Sequence, residues 1–461
     1  MSMPQNAGLN MSLSLAFGLL AFIASQTVPA QTGDGNVLPG RGQRLSQESM
    51  KSFQLRSVPT GDLKPARAGW SKIGLNNESV NANTVQAYDT VPYWTDQFIV
   101  PGYDSNGNYQ TSWPYTMVGT LPESGRTTTI KAPIVPLTFI GLDEHGDIFR
   151  DPDTGTRIIQ VVTPNILKSV TQSPFFEPSS YTSGTGQYLD NMMRAQFWDR
   201  IHGGQKDSNW DNGWHNLLVP SIKTARTIYV PFGKLYYVLN ADNSCCAFVA
   251  VDFSALQTLL FPQTSPADNS TAIGAAELAG DITTKDIATF LSNNVYLYTG
   301  DISTCCEGAF HSYDYEPGTS RNGNRPRLYV LNYSPWMTMG ILFNNYGDVG
   351  AMSHEMAELF NDPFIMNFTP WWQSTDPAYG FPRCMNILEA GDVIENFVSV
   401  PQIYTTLTHG RTYHVVNVAN LSWFAGESPS HAHLGAYSFP DEFTLTTLSP
   451  PNLQPNCSNA P

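Results

Sequence analysis

Positive charge is scarce in this sequence. Lys and Arg number 24 against 39 Asp and Glu, for a formal net charge of −15 over 461 residues. A field of that sign repels phosphate backbones and anionic lipid, and no basic cluster interrupts it, which argues against nucleic-acid binding. Charged residues of either sign make up only 14% of the chain, against 41% hydrophobic and 12% aromatic. That balance excludes a disordered chain and a charge-laced coiled coil. Long apolar runs are missing too. The longest, residues 13–24 (LSLAFGLLAFIA), falls short of the roughly 20 residues of a membrane span. Also absent are a G-x-S-x-G elbow, a phosphate-binding G-x-x-x-x-G-K-S/T loop, a G-x-G-x-x-G turn and any C-x-x-C pair.

What is present points to an exported protein. Residues 13–24 suit the apolar core of a signal peptide. Val28 and Ala30 occupy the small-residue cleavage positions, although no Lys or Arg precedes the run. The expectation is a signal peptide over residues 1–30, a secreted, periplasmic or extracellular mature chain, and no membrane insertion once the leader is removed. Residues 31–90 are polar and without clear periodicity, and read as a leader or extended arm, with a propeptide as the alternative. Residues 91–461 read as one large region whose metal-site half spans about 300–440.

Export permits disulfides. The six cysteines form two adjacent pairs, Cys245-Cys246 and Cys305-Cys306, plus Cys384 and Cys457. Adjacent cysteines rarely bond to each other, so the pairs are expected to reach one another or the lone cysteines. A staple between the regions near 245 and 305 is preferred, with a further bridge from Cys384 or Cys457. The pairing itself is not readable from sequence.

Short β-branched runs bounded by Gly, Pro and Asp mark strands near 134–140, 158–162, 227–230, 235–239, 246–251, 295–298, 328–331 and 415–418. Residues 187–200 have helical spacing, with Leu189, Met192, Met193 and Phe197 on one broad face, and residues 270–293 read as one or two Ala-rich helices. GAMSHEMAELFNDP reads as a helix starting near Gly350 and stopped by Asn361-Asp362-Pro363. Hairpins with segregated helices imply an α+β fold: a mixed or antiparallel sheet with a metal-binding helix of the zincin type packed on it.

The chemistry concentrates on that helix. Positions i and i+4 share a face, so His354 and Glu358 can aim at one metal ion with Glu355 beside them. This is the H-E-x-x-H zinc helix with its second histidine replaced by glutamate. Zinc accepts imidazole nitrogen and carboxylate oxygen, and Glu355 stands where a base for the metal-bound water is needed. The competing reading is an ordinary surface ion pair, worth a few tenths of a kcal/mol. The expected complement is one zinc ion. Glu389 is the leading third ligand. Asp392 is an alternative ligand, or a group that orients His354. His431 and His433 have alternating spacing that suits ligands or substrate-positioning groups. A Tyr or His of residues 409–433, such as Tyr413 or His431, is the candidate for stabilising an oxyanion, with His431 preferred. Asp362 continues the face one turn beyond Glu358 and stands as an alternative ligand or supporting group, although Pro363 beside it marks the helix end and favours a capping or loop-anchoring role. His311, after CCEGAF, reads equally as a site residue or a hydrogen-bonded structural histidine.

SHEMAELFNDP, the Trp371-Trp372 loop and EAGD together resemble a poorly characterised group of exported proteins. Their pattern is H-E-x-x-E-A-x-T-D-P, a Trp-containing loop, and E-I-G-D with a nearby Cys. A more distant likeness is to the plant phosphate-induced, EXORDIUM-like proteins, with their H-E-x-A-E helix and Cys-Gly-x-His segment. His354, Glu355, Glu358, Asp362, Pro363, Glu389, Gly391 and Asp392 match, and the segment from Cys305-Cys306 to His311 matches loosely. Leu359-Phe360-Asn361 departs from Ala-x-Thr, and Cys384 lies before rather than after E-x-G-D. The likeness covers residues 300–395 and implies a zinc-dependent hydrolase, most simply a peptidase with a peptide or protein substrate. Two other readings stand beside it. One is a non-catalytic secreted module with a structural metal. The other is a carbohydrate-active or glycan-binding protein that uses the aromatics of NWDNGWH and TPWWQSTDPAYGFP.

Overall fold

The strand Thr127–Gly141 is the spine of the molecule. Its first residues alternate exposed and buried, and from Ala132 to Leu137 the strand is buried without a break, so its second half is covered on both faces. It pairs in parallel with His215–Ile222 along its first half and with Arg226–Val230 along its end. The break between these partners falls at Val135 and Pro136, where proline has no N–H to give a ladder. On its other edge it runs parallel to Ile287–Asn293, which is parallel in turn to Arg327–Trp336. Phe310–Glu316 closes that side, antiparallel to Arg327–Trp336, and Ile159–Gln160 pairs antiparallel with the end of the spine. The result is a mixed seven-stranded sheet, accompanied by a four-stranded sheet of Gln43–Arg44, Leu235–Val238, Phe248–Asp252 and Val295–Tyr298.

This computed structural model describes residues 43–45, 88–101, 110–203, 211–342, 346–374, 383–395 and 402–445. The chain divides into two units, Met1–Pro39 and Gly40–Pro461, and every described residue belongs to the second. The expected signal peptide and most of the expected arm therefore lie outside the described residues. No helix among those described is long and apolar enough to cross a membrane.

Period-two alternation splits the large sheet between two cores. Leu328 and Val330 face one cluster, while Tyr329, Leu331 and Tyr333 face the other. The helix Gly350–Asn361, hereafter the central helix, belongs to the first cluster through Met352, Met356, Ala357, Leu359 and Phe360. It packs on Arg327–Trp336, Phe310–Glu316, Arg411–Val416, Tyr188–Gln196 and Gln110–Val118, and all of its residues are buried. Burial on every side removes the surface-pair reading of His354 and Glu358. The α+β class, with a mixed sheet, holds.

Two expectations are corrected. Each adjacent cysteine pair closes on itself, as Cys245–Cys246 and Cys305–Cys306. The regions near 245 and 305 need no staple, because Phe248–Asp252 and Val295–Tyr298 already pair as parallel neighbours. Cys457 and the Cys384 side chain lie outside the described residues. Within 270–293 only Ala272–Leu278 is helical, and Ile287–Asn293 is a central strand of the large sheet. Its residues up to Ser292 are buried, and an apolar run buried on both faces carries no period that separates strand from helix. The helix expected over 187–200 forms as Tyr188–Gln196 and Trp198–Ile201, broken at Phe197.

Both ends of the central helix are held by carboxylates. At the start, Asp348 Oδ1 accepts the N–H of Val349 (2.6 Å) and of His414 (3.0 Å), and Oδ2 meets His414 Nδ1 at 2.7 Å. At the end, Asp362 accepts from Met366 N (2.8 Å) and Asn367 N (2.9 Å), as the sequence reading of Asp362 expects. The Asn367 amide then bonds Thr116 backbone N–H and C=O, each at 2.7 Å, tying this turn to the strand Gln110–Val118.

The hydrogen bond from Asp348 raises the His414 imidazole above its ordinary 6.5. A raised folded-state value means the pair's stability is fully present below about pH 6.5 and is lost as pH climbs through the folded value. Urea unfolding of wild type and His414→Gln between about pH 6 and 9 checks this. The wild type should be more stable by about 1–2 kcal/mol at the acidic end, with the gap closing as pH rises. Curves that stay parallel across that range would show that the ion pair does not feed into folding.

Candidate metal centre

One helical turn separates His354 from Glu358, and their side chains meet, with His354 Nε2 3.2 Å from Glu358 Oε1. The third member is Asp392, at the start of the short helix Asp392–Glu395, with Oδ1 3.3 Å from the same nitrogen. The turn leading into that helix also holds Glu358, because Gly391 N donates to Glu358 Oε1 at 3.1 Å and Asp392 N at 3.4 Å. Gly391 is required by contact rather than by backbone angle. A Cβ there would stand 2.6 Å from His354 Cε1 and Nδ1, inside the imidazole's van der Waals surface.

His354, Glu358 and Asp392 place their donor atoms within 4.8 Å of one another. Zinc bonds of about 2.0–2.1 Å put neighbouring ligand atoms of a tetrahedron roughly 3.3 Å apart. The two His354 separations match that edge and are long for N–H···O hydrogen bonds, which centre near 2.9–3.0 Å. One imidazole and two carboxylates are a donor set that zinc accepts. Glu389, expected as the third ligand, is 1% exposed beside this group but is not one of the three.

Behind Glu358 lies His311. Phe310 faces the second core, so the next residue on the strand Phe310–Glu316 points the opposite way, toward the central helix. His311 Nδ1 is 3.1 Å from Glu355 Oε2 and 3.5 Å from Glu358 Oε2. Burial alone would lower this imidazole, but hydrogen bonding to Glu355 and Glu358 outweighs it and pushes His311 up to about 9. For Glu358 burial is likewise overcome, here by His354 and His311, and its carboxyl is held far below the usual range. Burial dominates at Glu355 and raises it, with the His311 hydrogen bond offsetting only part. Glu389 is raised well above the usual range by burial first, then by the charges of Glu358, Asp392, Asp362 and Glu355. Burial also lifts Asp362, to about 6, against the pull of its backbone donors.

Five carboxyl groups (Glu355, Glu358, Asp362, Glu389, Asp392) and two imidazoles thus share one interior region, and none of these residues is more than 6% exposed. Uncompensated charges in such a place cost several kcal/mol each. His311 and the Gly391 and Asp392 N–H groups supply part of that compensation, and the donor separations are compatible with a divalent cation.

The remaining sequence candidates lie in other groups. His431, 64% exposed, meets Asp199 Oδ2 at 3.1 Å through Nδ1. His433 Nδ1 is 2.8 Å from Glu442 Oε1, and its ring lies against Trp198, which also stacks on His202. The Tyr413 hydroxyl donates to Ser169 O (2.8 Å). Trp214 and Trp372 are fully buried, so neither offers a face to a sugar ring. Two residues of the region had no role in the sequence reading. Tyr188 is buried, donates to Val416 O (2.9 Å) and lies close enough to His354 for the imidazole's charge to act on its hydroxyl. Nothing in its sequence context, a helical stripe of core residues, sets it apart. Gly391 was legible only as a motif position, and its close approach to the His354 ring depends on the fold.

Gly391→Ala should force the His354 ring out of place while leaving the rest of the turn intact. Zinc affinity, measured by competition with a chromophoric chelator, should fall about 10- to 100-fold with little change in far-UV circular dichroism. Unchanged affinity would remove His354 from the site.

The chain matches no family model, no curated protein and no solved structure, so no ligand set is carried over from a relative.

Proposed function

We propose that this chain is an exported zinc-dependent hydrolase acting on peptide or protein substrates. His354, Glu358 and Asp392 hold the ion and Glu355 handles the proton. The observation that carries the reading is the fully buried central helix, which delivers His354 and Glu358 from one face to Asp392 at coordination-edge distances. Zinc, when bound, polarises a carbonyl and lowers the pKa of a coordinated water. The chain supplies the rest. Gly391 and Asp392 N–H groups fix Glu358, and His311 fixes Glu355 through Oε2. Burial raises the Glu355 carboxyl, the direction required of a group that takes up a proton near neutrality and passes it on. Two disulfides among the described residues and the signal-like run at residues 13–24 support export.

A structural metal is the second reading. It is favoured by the closure of the site, since structural zinc is enclosed by protein whereas catalytic zinc keeps an open position. Glycan binding has less behind it, with Trp214 and Trp372 in the core.

Elemental analysis after dialysis, run beside a peptide-hydrolysis assay, tests the proposal. Zinc at His354 should be present in wild type, lost in Glu358→Ala and kept in Glu355→Gln. Turnover in Glu355→Gln should fall by about 100-fold or more. Zinc held by wild type with no hydrolysis across a broad peptide pool would favour the structural reading. No zinc after reconstitution would sink both.

A further inference from the structure

We propose that this centre is built for two divalent cations, with Glu358 as the carboxylate shared between them. Its two oxygens face different partners. Oε1 lies with His354 Nε2 at 3.2 Å, and that nitrogen is 3.3 Å from Asp392 Oδ1. Oε2 lies 3.5 Å from His311 Nδ1, which is itself 3.1 Å from Glu355 Oε2. Two donor groups result, His354–Glu358–Asp392 and His311–Glu355–Glu358, each gathered within 4.8 Å and each buried throughout. Both groups contain one imidazole and two carboxylates, and Glu358 is their common member. A carboxylate bridging in this way suits a metal pair about 3.5–4 Å apart, the spacing of two-metal hydrolytic sites.

Charge bears on the second ion as well. The two donor groups together hold three carboxylates, Glu355, Glu358 and Asp392. With all three ionised and both imidazoles neutral, one divalent cation leaves them singly negative, with Glu389 and Asp362 as further buried acidic groups beside them. Glu389 adds a separate sign of an incomplete site. Its Oε2 has no hydrogen-bond partner although the residue is 1% exposed, and the charges acting on it are those of Glu358, Asp392, Asp362 and Glu355. Buried carboxylate oxygens seldom go unpaired; Glu389 belongs to neither donor group and marks an unsatisfied acidic interior beside them rather than a ligand.

The inference rests on the hydrolase reading for the first ion and changes one part of it, because Glu355 becomes a ligand rather than the proton carrier. The full chain, stripped with chelator and reloaded with manganese(II), provides the test through metal content and electron paramagnetic resonance. Wild type should hold two ions per chain and give an exchange-coupled spectrum. His311→Ala and Glu355→Gln should each hold one ion, at His354, with an isolated-ion spectrum. One ion in wild type, unchanged in His311→Ala, overturns the two-metal site and leaves the zinc-hydrolase reading intact. No bound ion in wild type, with manganese or zinc, overturns both. The wild-type measurement decides the matter even where a variant fails to fold.

Discussion

Burying the central helix on every side is the constraint from which the rest of the structure follows. A helix that faces water on one side can leave His and Glu side chains solvated, where an i,i+4 pair contributes only a few tenths of a kcal/mol. Gly350–Asn361 has no such side. His354, Glu355 and Glu358 must each be answered from a neighbouring element, and an unanswered ion there costs several kcal/mol. The two magnitudes differ by about tenfold. Desolvation, not helix propensity, therefore decides what surrounds this segment. The answers come from His311 on the sheet and from Gly391 and Asp392 in the following turn.

The same constraint explains why polar side chains around the helix act as fasteners. Asn361 accepts from Gln196 Nε2 at 2.9 Å and gives its own N–H to Ala357 O at 2.8 Å, while Gln196 Oε1 accepts the N–H of Leu421. Ser353 donates to Gly350 O and accepts from Val416 N at 2.8 Å. With Asp348, Asp362 and Asn367, these bonds connect the helix to segments far apart in sequence, and they leave few of its polar atoms unmatched. Metal affinity and folding stability are coupled in such an arrangement, since the residues that would hold an ion are also the ones whose charges the fold must accommodate.

Much of this was legible in the sequence wherever local spacing carried the information. The helix, its end at Asn361-Asp362-Pro363, the facing of His354 and Glu358, and the strands Leu235–Val238 and Val295–Tyr298 all follow from period and punctuation. The site becomes hard to read where it depends on contacts between distant segments. His311 reaches Glu355 across 44 residues through strand parity and sheet register, so its sequence context could not separate a site residue from a structural one. Asp392 rather than Glu389 meets His354 because of the turn between them, whose shape depends on Gly391 fitting against a ring from another element. The cysteine pairing escaped for a related reason, in that the rule against adjacent bonds is a tendency and each pair closes locally. Ile287–Asn293 is not legible as a strand, because a strand buried on both faces has no polar side to reveal its period.

The glutamate at 358, where the zinc-helix motif has histidine, is the most informative departure in the sequence. In a single ligand group the exchange looks conservative, since either side chain gives zinc one donor atom. In this fold it is not. Position 358 stands between His354 on one side and His311 on the other, and its two oxygens are engaged separately, Oε1 by His354 and the Gly391 N–H, Oε2 by His311. A histidine has two ring nitrogens but directs them along diverging lines, and it brings no negative charge to set against two imidazoles. A carboxylate meets both demands from one side chain. The residue that weakened the resemblance to the zinc-helix motif is therefore the one the geometry of this interior requires.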